Sequence, residues 1–295
     1  MPGKESSRLF IGTLYSRENE FSDCVRSIND QTYKQFDHFV FSDLPNKEAH
    51  ITLFKAFVQQ AETYDLLIKV DADMVISNPR LFENIVRKMH ENPGIDILTI
   101  AVHDFFSDQL IYGLNTYRNT VRWNLDKENL FVDIPDTPQD KYLFDDRELA
   151  PAAVHCPNPS PYQAFHYGVH RGLKMVQPDQ AEKRESSRRT KWTGMEKSWQ
   201  HYLRTKDIRL GLACLGAELA FSGMFTIQDL DITNPRLHNL LEGFLNMDPD
   251  SLVKVIRRSR LYNFGFLPSH RRRQMIGALA DKRIKNRLLE TLLPV

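Results

Sequence analysis

"LLIKVDADMVIS", residues 66–77, is the stretch whose reading decides the fold. Leu66, Leu67, Ile68 and Val70 form the kind of near-continuous apolar run that belongs to a strand buried on both faces. The run stops at Asp71 and Asp73 and resumes with Met74, Val75 and Ile76. Read as one strand, the alternation puts residues i and i+2 on the same side, so both carboxylates point at one object. Two anions this close repel unless a cation lies beside them. Hard oxygen donors suit Mg²⁺ or Mn²⁺, and such ions are commonly shared with substrate phosphates. The alternative open at this point is that both aspartates cap the following turn. A second Asp-x-Asp, at Asp229 and Asp231, reads as loop.

Working outward, strands and helices alternate. "RLFIGTLYS" (8–16) reads as a buried strand, "NEFSDCVRSINDQT" as an amphipathic helix through Phe21, Val25 and Ile28, and "DHFVFSD" (37–43) as a second strand. Leu53, Phe54, Phe57, Val58 and Ala61 make a helical stripe. After the third strand, Asn78 and Pro79 mark a helix start, with Leu81, Phe82, Ile85, Val86 and Met89 on its buried face. "DILTIAV" (96–102) is the fourth strand. This order implies βαβ units and a parallel sheet covered on both faces. Beyond 103 the pattern loosens. Residues 133–162, rich in Pro and Asp, read as long loops, and 179–191 as an exposed, mobile charged run. "QAFHYGVHRGLK" (163–174) reads as a strand with His166 and His170 on one side. Residues 196–206 read as a helix, "IRLGLACLGAELAF" (208–221) as a returning strand or strand pair, and the chain from 249 onward as helices.

The 295 residues are 41% hydrophobic and 26% charged, an ordinary globular composition. No apolar run approaches the roughly 20 residues of a membrane span, and the first residues lack the apolar stretch of a secretory signal. Cys24, Cys156 and Cys214 are scattered and odd in number, which argues against a disulfide framework or a zinc site and for a reducing, cytoplasmic setting. The net charge is +1, but from Asp250 to the end eleven Lys/Arg face three Asp/Glu. There Ile276, Ala280, Ile284, Leu288 and Leu292 recur every four residues beside Lys282, Arg283, Lys285 and Arg287. Such a helix can lie on an anionic membrane surface or pack on its own domain. No nucleic-acid module is visible.

The motifs together resemble the GT-A fold of nucleotide-sugar glycosyltransferases. "FSDCVRSINDQTYKQFDHFVFSD" (21–43) is similar to the first helix and second strand of the family 2 type, and residues 8–102 carry the likeness best. The resemblance implies an α/β fold with a central, mostly parallel, Rossmann-like sheet flanked by helices. It divides the chain into a glycosyltransferase domain at 1–245, with a nucleotide-sugar half at 1–102 and an acceptor half at 103–245, and a basic helical C-terminal extension at 246–295. It further implies a metal-dependent, inverting transfer of a sugar from a nucleotide-diphosphate donor to a glycan or lipid-linked acceptor, at the inner face of the membrane if the extension docks there. Thr13, Tyr15, Arg17, Glu18, Asp43, Lys55 and Asp71 fall on the donor side. Asp71 and Asp73 would hold Mg²⁺ or Mn²⁺, with a histidine as third ligand: His166 first, His170 or His238 otherwise. His170, Arg171, Lys174 and Trp192 would line the acceptor or phosphate side, with Trp199 a further stacking candidate.

"WTGMEKSWQHYLRTKDIRLGLA" (192–213) resembles the segment in which inverting members carry their general base. Glu196 matches the family's glutamate, and Lys197 stands where the base aspartate is usual. Two other classes stay open. A sugar-nucleotide nucleotidyltransferase also uses carboxylate-bound Mg²⁺, but "GTLYSRENE" lacks the Gly-rich phosphate loop expected of one. A non-catalytic glycan-binding or scaffold protein fits Lys197 but not the retained aspartate pair.

Overall fold

The computed structural model describes residues 6–123, 141–176, 185–226 and 234–262. The basic stripe at 276–292 lies outside them. The first half follows the expected alternation: β1 (Leu9–Tyr15), α1 (Phe21–Asn29), β2 (Phe36–Ser42), α2 (Asn46–Gln59) and β3 (Leu66–Lys69). β1 pairs in parallel with β2 on one side and β3 on the other. Leu9, Ile11, Leu66 and Ile68 face α1, whereas Phe10 and Leu67 face α2. The apolar run of β3 therefore has the cause expected of it: both faces are covered.

The opening stretch differs from its expected form in one respect. The third strand does not run through the aspartates. It ends at Lys69, the chain turns at 70–73 with the Met74 N–H donating to the Asp71 carbonyl at 2.9 Å, and β4 (Met74–Ile76) leaves in a new direction. β4 pairs antiparallel with β8 (Ala153–His155), which the sequence placed in loop. α3 (Leu81–Glu91) follows, starting two residues beyond Pro79. The Asn78 side chain accepts from the Arg80 N–H in the turn before it.

The region past 103 is also more regular than its composition suggests. β5 (Ile97–Asp104) and β6 (Gln109–Arg118) form an antiparallel pair with a bulge at Ile100/Ala101, and β7 (Tyr142–Asp145) adds in parallel to β5. The sheet order is β2-β1-β3-β6-β5-β8-β4, with β7 off that path on β5. The result is a mixed α/β sheet, parallel around β1 and at β5 with β7 and β8, antiparallel elsewhere.

Two expected strands are helices. α4 (Pro161–Val176) covers "QAFHYGVHRGLK", and α6 (Ile208–Phe221) covers "IRLGLACLGAELAF". α6 is buried on nearly every side, from Leu210 through Ala217, so it carries no amphipathic stripe to betray its period. α4 and α6 cross with small residues between them. A Cβ on Gly168 would stand 1.9 Å from the Ala213 carbonyl oxygen, and one on Gly216 2.4 Å from that of Phe165. Asp207 caps α6, accepting from the Arg209 N–H at 2.9 Å. α5 (Glu185–Thr205) begins inside the run expected to be mobile. α7 (Pro235–Leu245) and α8 (Pro249–Tyr262) close this helical core, into which α8 sends Leu252, Val253 and Ile256.

The crossing makes a test of the helical assignment. Gly168→Ala forces backbone apart at the α4–α6 contact and is expected to destabilise by roughly 1–3 kcal/mol. Gly194→Ala, in α5 with nothing within 4 Å of its added methyl, is expected to stabilise by about 0.5–1 kcal/mol. Urea unfolding of the two variants reads both signs. A strand at 163–174 would not produce the contrast.

Candidate functional site

Strand order places the site. The chain leaves β1 toward β2 on one side and leaves β3 for strands on the opposite side, so the carboxyl ends of β1 and β3 bound a topological switch point, where open α/β sheets hold their ligands. A cleft of about 270 Å³ opens there. Its walls are the β1–α1 loop (Ser16, Glu18), the start of α2 (Asn46, His50), the β3–β4 turn (Lys69, Asp71, Asp73), the end of β8 (His155, Cys156) and one face of α4 (Gln163, His166, Tyr167, His170, Arg171, Lys174). His166 and His170 do share a side, for a different reason than alternation: they are one helical turn apart.

The two aspartates part company. Asp71 Oδ1 accepts from the buried Lys69 ammonium at 2.5 Å. Asp73 turns inward. Its Oδ2 lies 3.3 Å from His155 Nε2 and accepts from the Cys156 thiol at 3.2 Å. His155 Nδ1 donates to Asp104 Oδ1 at 2.8 Å, and Asp104 Oδ2 accepts from the N–H and hydroxyl of Ser107. The chain thus supplies its own cations, Lys69 and His155, and repulsion between the carboxylates is not by itself a reason for a metal.

Charge states follow from this packing. Burial pushes the Asp104 carboxyl up, but the His155 bond and charge outweigh it and bring it down to about 2. Asp73 is likewise held below the ordinary carboxylate range against its burial. His155, desolvated yet flanked by Cys156, Asp73 and Asp104, is raised well above a free imidazole, and burial raises the Cys156 thiol. Without a bound ion the site is an imidazolium between two carboxylates, with a protonated thiol alongside.

The residues also bear on a metal. Asp73 Oδ1 is buried and has no hydrogen-bond partner, the kind of orphan that signals a missing group. Donor atoms of Asp73, His155 and Cys156 lie within 4.8 Å of one another. The carboxylate–imidazole pair suits Mn²⁺, whereas Mg²⁺ asks for oxygens alone. Asp104 behind His155 is the outer carboxylate that commonly orients a ligating histidine. Among the described residues His166 is not in this cluster. It stacks near Tyr162 and His170, and His238 stacks on Tyr162 at 3.6 Å. The sequence assigns no role to His155 or Asp104 and offers Cys156 only as one of three scattered cysteines. The adjacent "HC" at 155–156 is the one local signal, and it sits in a Pro-rich stretch that reads as loop.

A second network braces the cleft floor. Buried Glu20 accepts from the Asn158 N–H at 3.0 Å and from Gln163 Nε2 at 2.9 Å, and Gln163 Oε1 accepts from the Asn19 N–H at 3.1 Å. This ties the β1–α1 loop to α4 and positions Glu18. Desolvation, with Asp73 and Asp71 nearby, pushes the Glu18 carboxyl up to about 7.

Other expected site residues are not among those lining the cleft. Thr13 is buried and bonds His38 at 2.9 Å. Tyr15 stacks on Phe21, and Arg17 pairs with Asp43 at 3.6 Å on the surface. Lys55 is exposed on α2 and does not line the cleft. Trp199 is a core residue, and the Trp192 side chain lies outside the described residues. Glu196 is the largest departure. It sits on α5 in an ion pair with Arg260 of α8, which also approaches Glu218 at 4.0 Å, and it is absent from the cleft. A match to a base motif located it; the helical packing engages its carboxylate in holding α5 to α8.

No family model and no curated protein matches the chain. Solved structures align with it at low identity. The mannosyltransferase PcManGT from Pyrobaculum calidifontis, solved with GDP-Man and Mn²⁺, aligns over 88% of this chain and 86% of its own at 10% identity and TM-score 0.42. Protein A197 from STIV aligns over 38% of this chain at 15% identity and TM-score 0.30, and the matched part is 64% of its own length. A CMP:2-keto-3-deoxy-manno-octonic acid synthetase solved with CTP aligns over 38% and 75% at 11% identity and TM-score 0.26. All these scores fall below 0.5, so the functional reading rests on the chain's own cleft.

Two outcomes check this site. Glu196→Gln breaks a largely buried ion pair and is expected to cost about 3 kcal/mol in urea unfolding while leaving cleft chemistry intact. Glu18 gives a pH signature in chelator-treated protein. Below the ordinary value of 4.5 both folded and unfolded chains hold the proton. Between 4.5 and about 7 only the folded chain holds it, so stability falls as pH rises through that window and stays low above it. Glu18→Gln removes the loss: equal to the parent at pH 4, it is expected to be more stable by about 1–2 kcal/mol at pH 8, allowing for its partial exposure.

Proposed function

We propose that this chain is a metal-dependent glycosyltransferase of the GT-A, family 2-like kind, taking a sugar from a nucleotide-diphosphate sugar to a hydroxyl of a glycan or lipid-linked acceptor. The observation that carries the reading is the cleft at the β1/β3 switch point, where the aspartate turn, a carboxyl with proton affinity near neutrality and a basic helix face meet. Nucleotide between β1 and α2, diphosphate at the aspartate turn and acceptor along α4 is the arrangement that these walls support. Residues 1–102 form the donor half and 103–245 the acceptor half; α8 belongs to the helical core, and the basic residues after it are the part of the extension that can meet an anionic membrane.

Asp73 and His155 would hold the divalent ion, and a bound ion there supplies neutralisation of the diphosphate charge. Everything else falls to side chains. Lys69 holds Asp71 toward the donor side. Arg171, set over the Tyr167 ring with its guanidinium carbon 4.9 Å from the ring centroid, and Lys174 offer positive charge along the opposite wall. The acceptor oxygen attacks the anomeric carbon as the bond to the diphosphate oxygen breaks, which inverts that carbon. With Glu196 committed to Arg260, we assign the acceptor proton to Glu18, whose raised proton affinity suits a general base at neutral pH.

The reading is tested by thermal shift with nucleoside diphosphates, triphosphates and diphosphate sugars, with and without divalent metal. Stabilisation by a diphosphate that requires metal, and its loss in Asp73→Asn, is the expected result. A preference for triphosphates would point to a nucleotidyltransferase, and indifference to all nucleotides to a binding protein. Once a donor is found, Glu18→Gln is expected to lower kcat by about 10²–10⁴ with donor binding retained, and Glu196→Gln to leave it nearly unchanged.

A further inference from the structure

Three donor atoms of this cleft form a triangle that oxygen chemistry does not explain. Asp73 Oδ2, His155 Nε2 and Cys156 Sγ are separated by 3.3, 3.2 and 3.6 Å. A tetrahedral ion with metal–oxygen and metal–nitrogen bonds of about 2.0–2.2 Å and a metal–sulfur bond of about 2.3 Å separates its ligands by about 3.4–3.6 Å. The triangle is therefore already near the dimensions of one face of such a site. Its backbone is set for the purpose of holding it: the Cys156 N–H donates to the Asp73 carbonyl at 2.7 Å, and Cys156 adopts φ of 50°, a left-handed conformation that a non-glycine residue keeps only where its surroundings impose it. Gln163 Nε2 reaches the same sulfur at 3.7 Å.

We propose that Asp73, His155 and Cys156 form a three-ligand tetrahedral site for a thiophilic transition ion of the Zn²⁺ or Co²⁺ class, with its fourth position open to the cleft. The proposal rests on the reading of this cleft as a metal-dependent site and changes the class of ion it takes. Mg²⁺ demands octahedral oxygen ligation and is poorly served by imidazole and sulfur. A thiophilic ion is served by all three donors, and the one open vertex is what distinguishes a reactive or substrate-binding site from a closed structural one. Asp104 acts as a positioning residue: its bond to Nδ1 leaves Nε2 as the ligating nitrogen. Binding balances simply. The thiol proton and the proton on Nε2 leave to solvent as the metal–sulfur and metal–nitrogen bonds form. The scattered cysteines, read from sequence as evidence against zinc, place one member here after all, while Cys24 and Cys214 are buried elsewhere.

The experiment is a Co²⁺ titration of the full chain after chelator treatment. The expected result is one equivalent bound, with the near-ultraviolet sulfur-to-cobalt charge-transfer band and intense visible bands of a tetrahedral ion, abolished by one equivalent of Zn²⁺ and untouched by excess Mg²⁺. Cys156→Ser is expected to lose the charge-transfer band, and Asp104→Asn to keep it at about 10–100-fold weaker affinity. If Cys156→Ser fails to fold, X-ray absorption on the Zn²⁺-loaded parent protein decides instead, with one sulfur at about 2.3 Å expected. Absence of the band and of the sulfur shell, or a band that survives Cys156→Ser, overturns the proposal: the triangle would then be a hydrogen-bonded cluster only. That failure is separable from failure of the enzyme reading. Diphosphate binding supported by Mg²⁺ or Mn²⁺ without a sulfur signal leaves the glycosyltransferase standing and removes this site, and a sulfur-ligated ion with no nucleotide response does the reverse.

Discussion

The His155 imidazole, held between the carboxylates of Asp73 and Asp104, is the interaction on which the site depends. It joins three elements that are far apart in the chain. Asp73 belongs to the turn between β3 and β4, Asp104 closes β5, and His155 closes β8. Removing the imidazole would leave two buried carboxylates facing each other. Buried charges persist only when paired and hydrogen-bonded, so the three residues stand or fall together. They also explain why the third strand breaks. Had β3 continued past Lys69, Asp73 would have run on along the sheet instead of turning in toward β8.

The second constraint is the tight crossing of α4 and α6. Gly168 and Gly216 let the two helix backbones approach closely. That contact fixes which face of α4 is left for the cleft, and it is the face bearing Gln163, His166, Tyr167, His170, Arg171 and Lys174. Below it the Glu20–Gln163–Asn19 bonds hold the β1–α1 loop against the same helix. The cleft is therefore bounded on one side by the sheet and on the other by an independent helical core, and the β3–β4 turn lies where the two meet.

The first hundred residues were legible because each element there has one buried and one exposed face, or two covered faces, and the period shows. Phe82, Ile85 and Met89 mark α3 without ambiguity. α6 reads as a strand because it has no exposed face, and a short, fully buried run has the same composition whether it is helix or strand. α4 reads as a strand because Gly168 and the two histidines mimic alternation, whereas Gly168 serves the crossing with α6. β8 lay in a Pro-rich stretch with three strand residues, too few for a period. Asp71 and Asp73, named from their pattern, and Glu18 and the basic residues of α4, named from the resemblance, all line the cleft. Glu196 was located by a motif's spacing, which says nothing about whether a partner such as Arg260 has already engaged it.

The sequence by itself determined the α/β alternation of the first hundred residues and the place of the aspartate pair near a strand's carboxyl end, because hydrophobic periodicity and strand ends are local properties of the chain. Only the tertiary structure decided that Asp73 faces His155 and Cys156 while Asp71 faces Lys69, that Asp104 stands behind the imidazole, and that Glu196 is held by α8. The physical reason is that pairing of charges and assembly of donor atoms are settled by strand order and helix packing, which bring together residues dozens of positions apart and leave no mark on the spacing of any one segment.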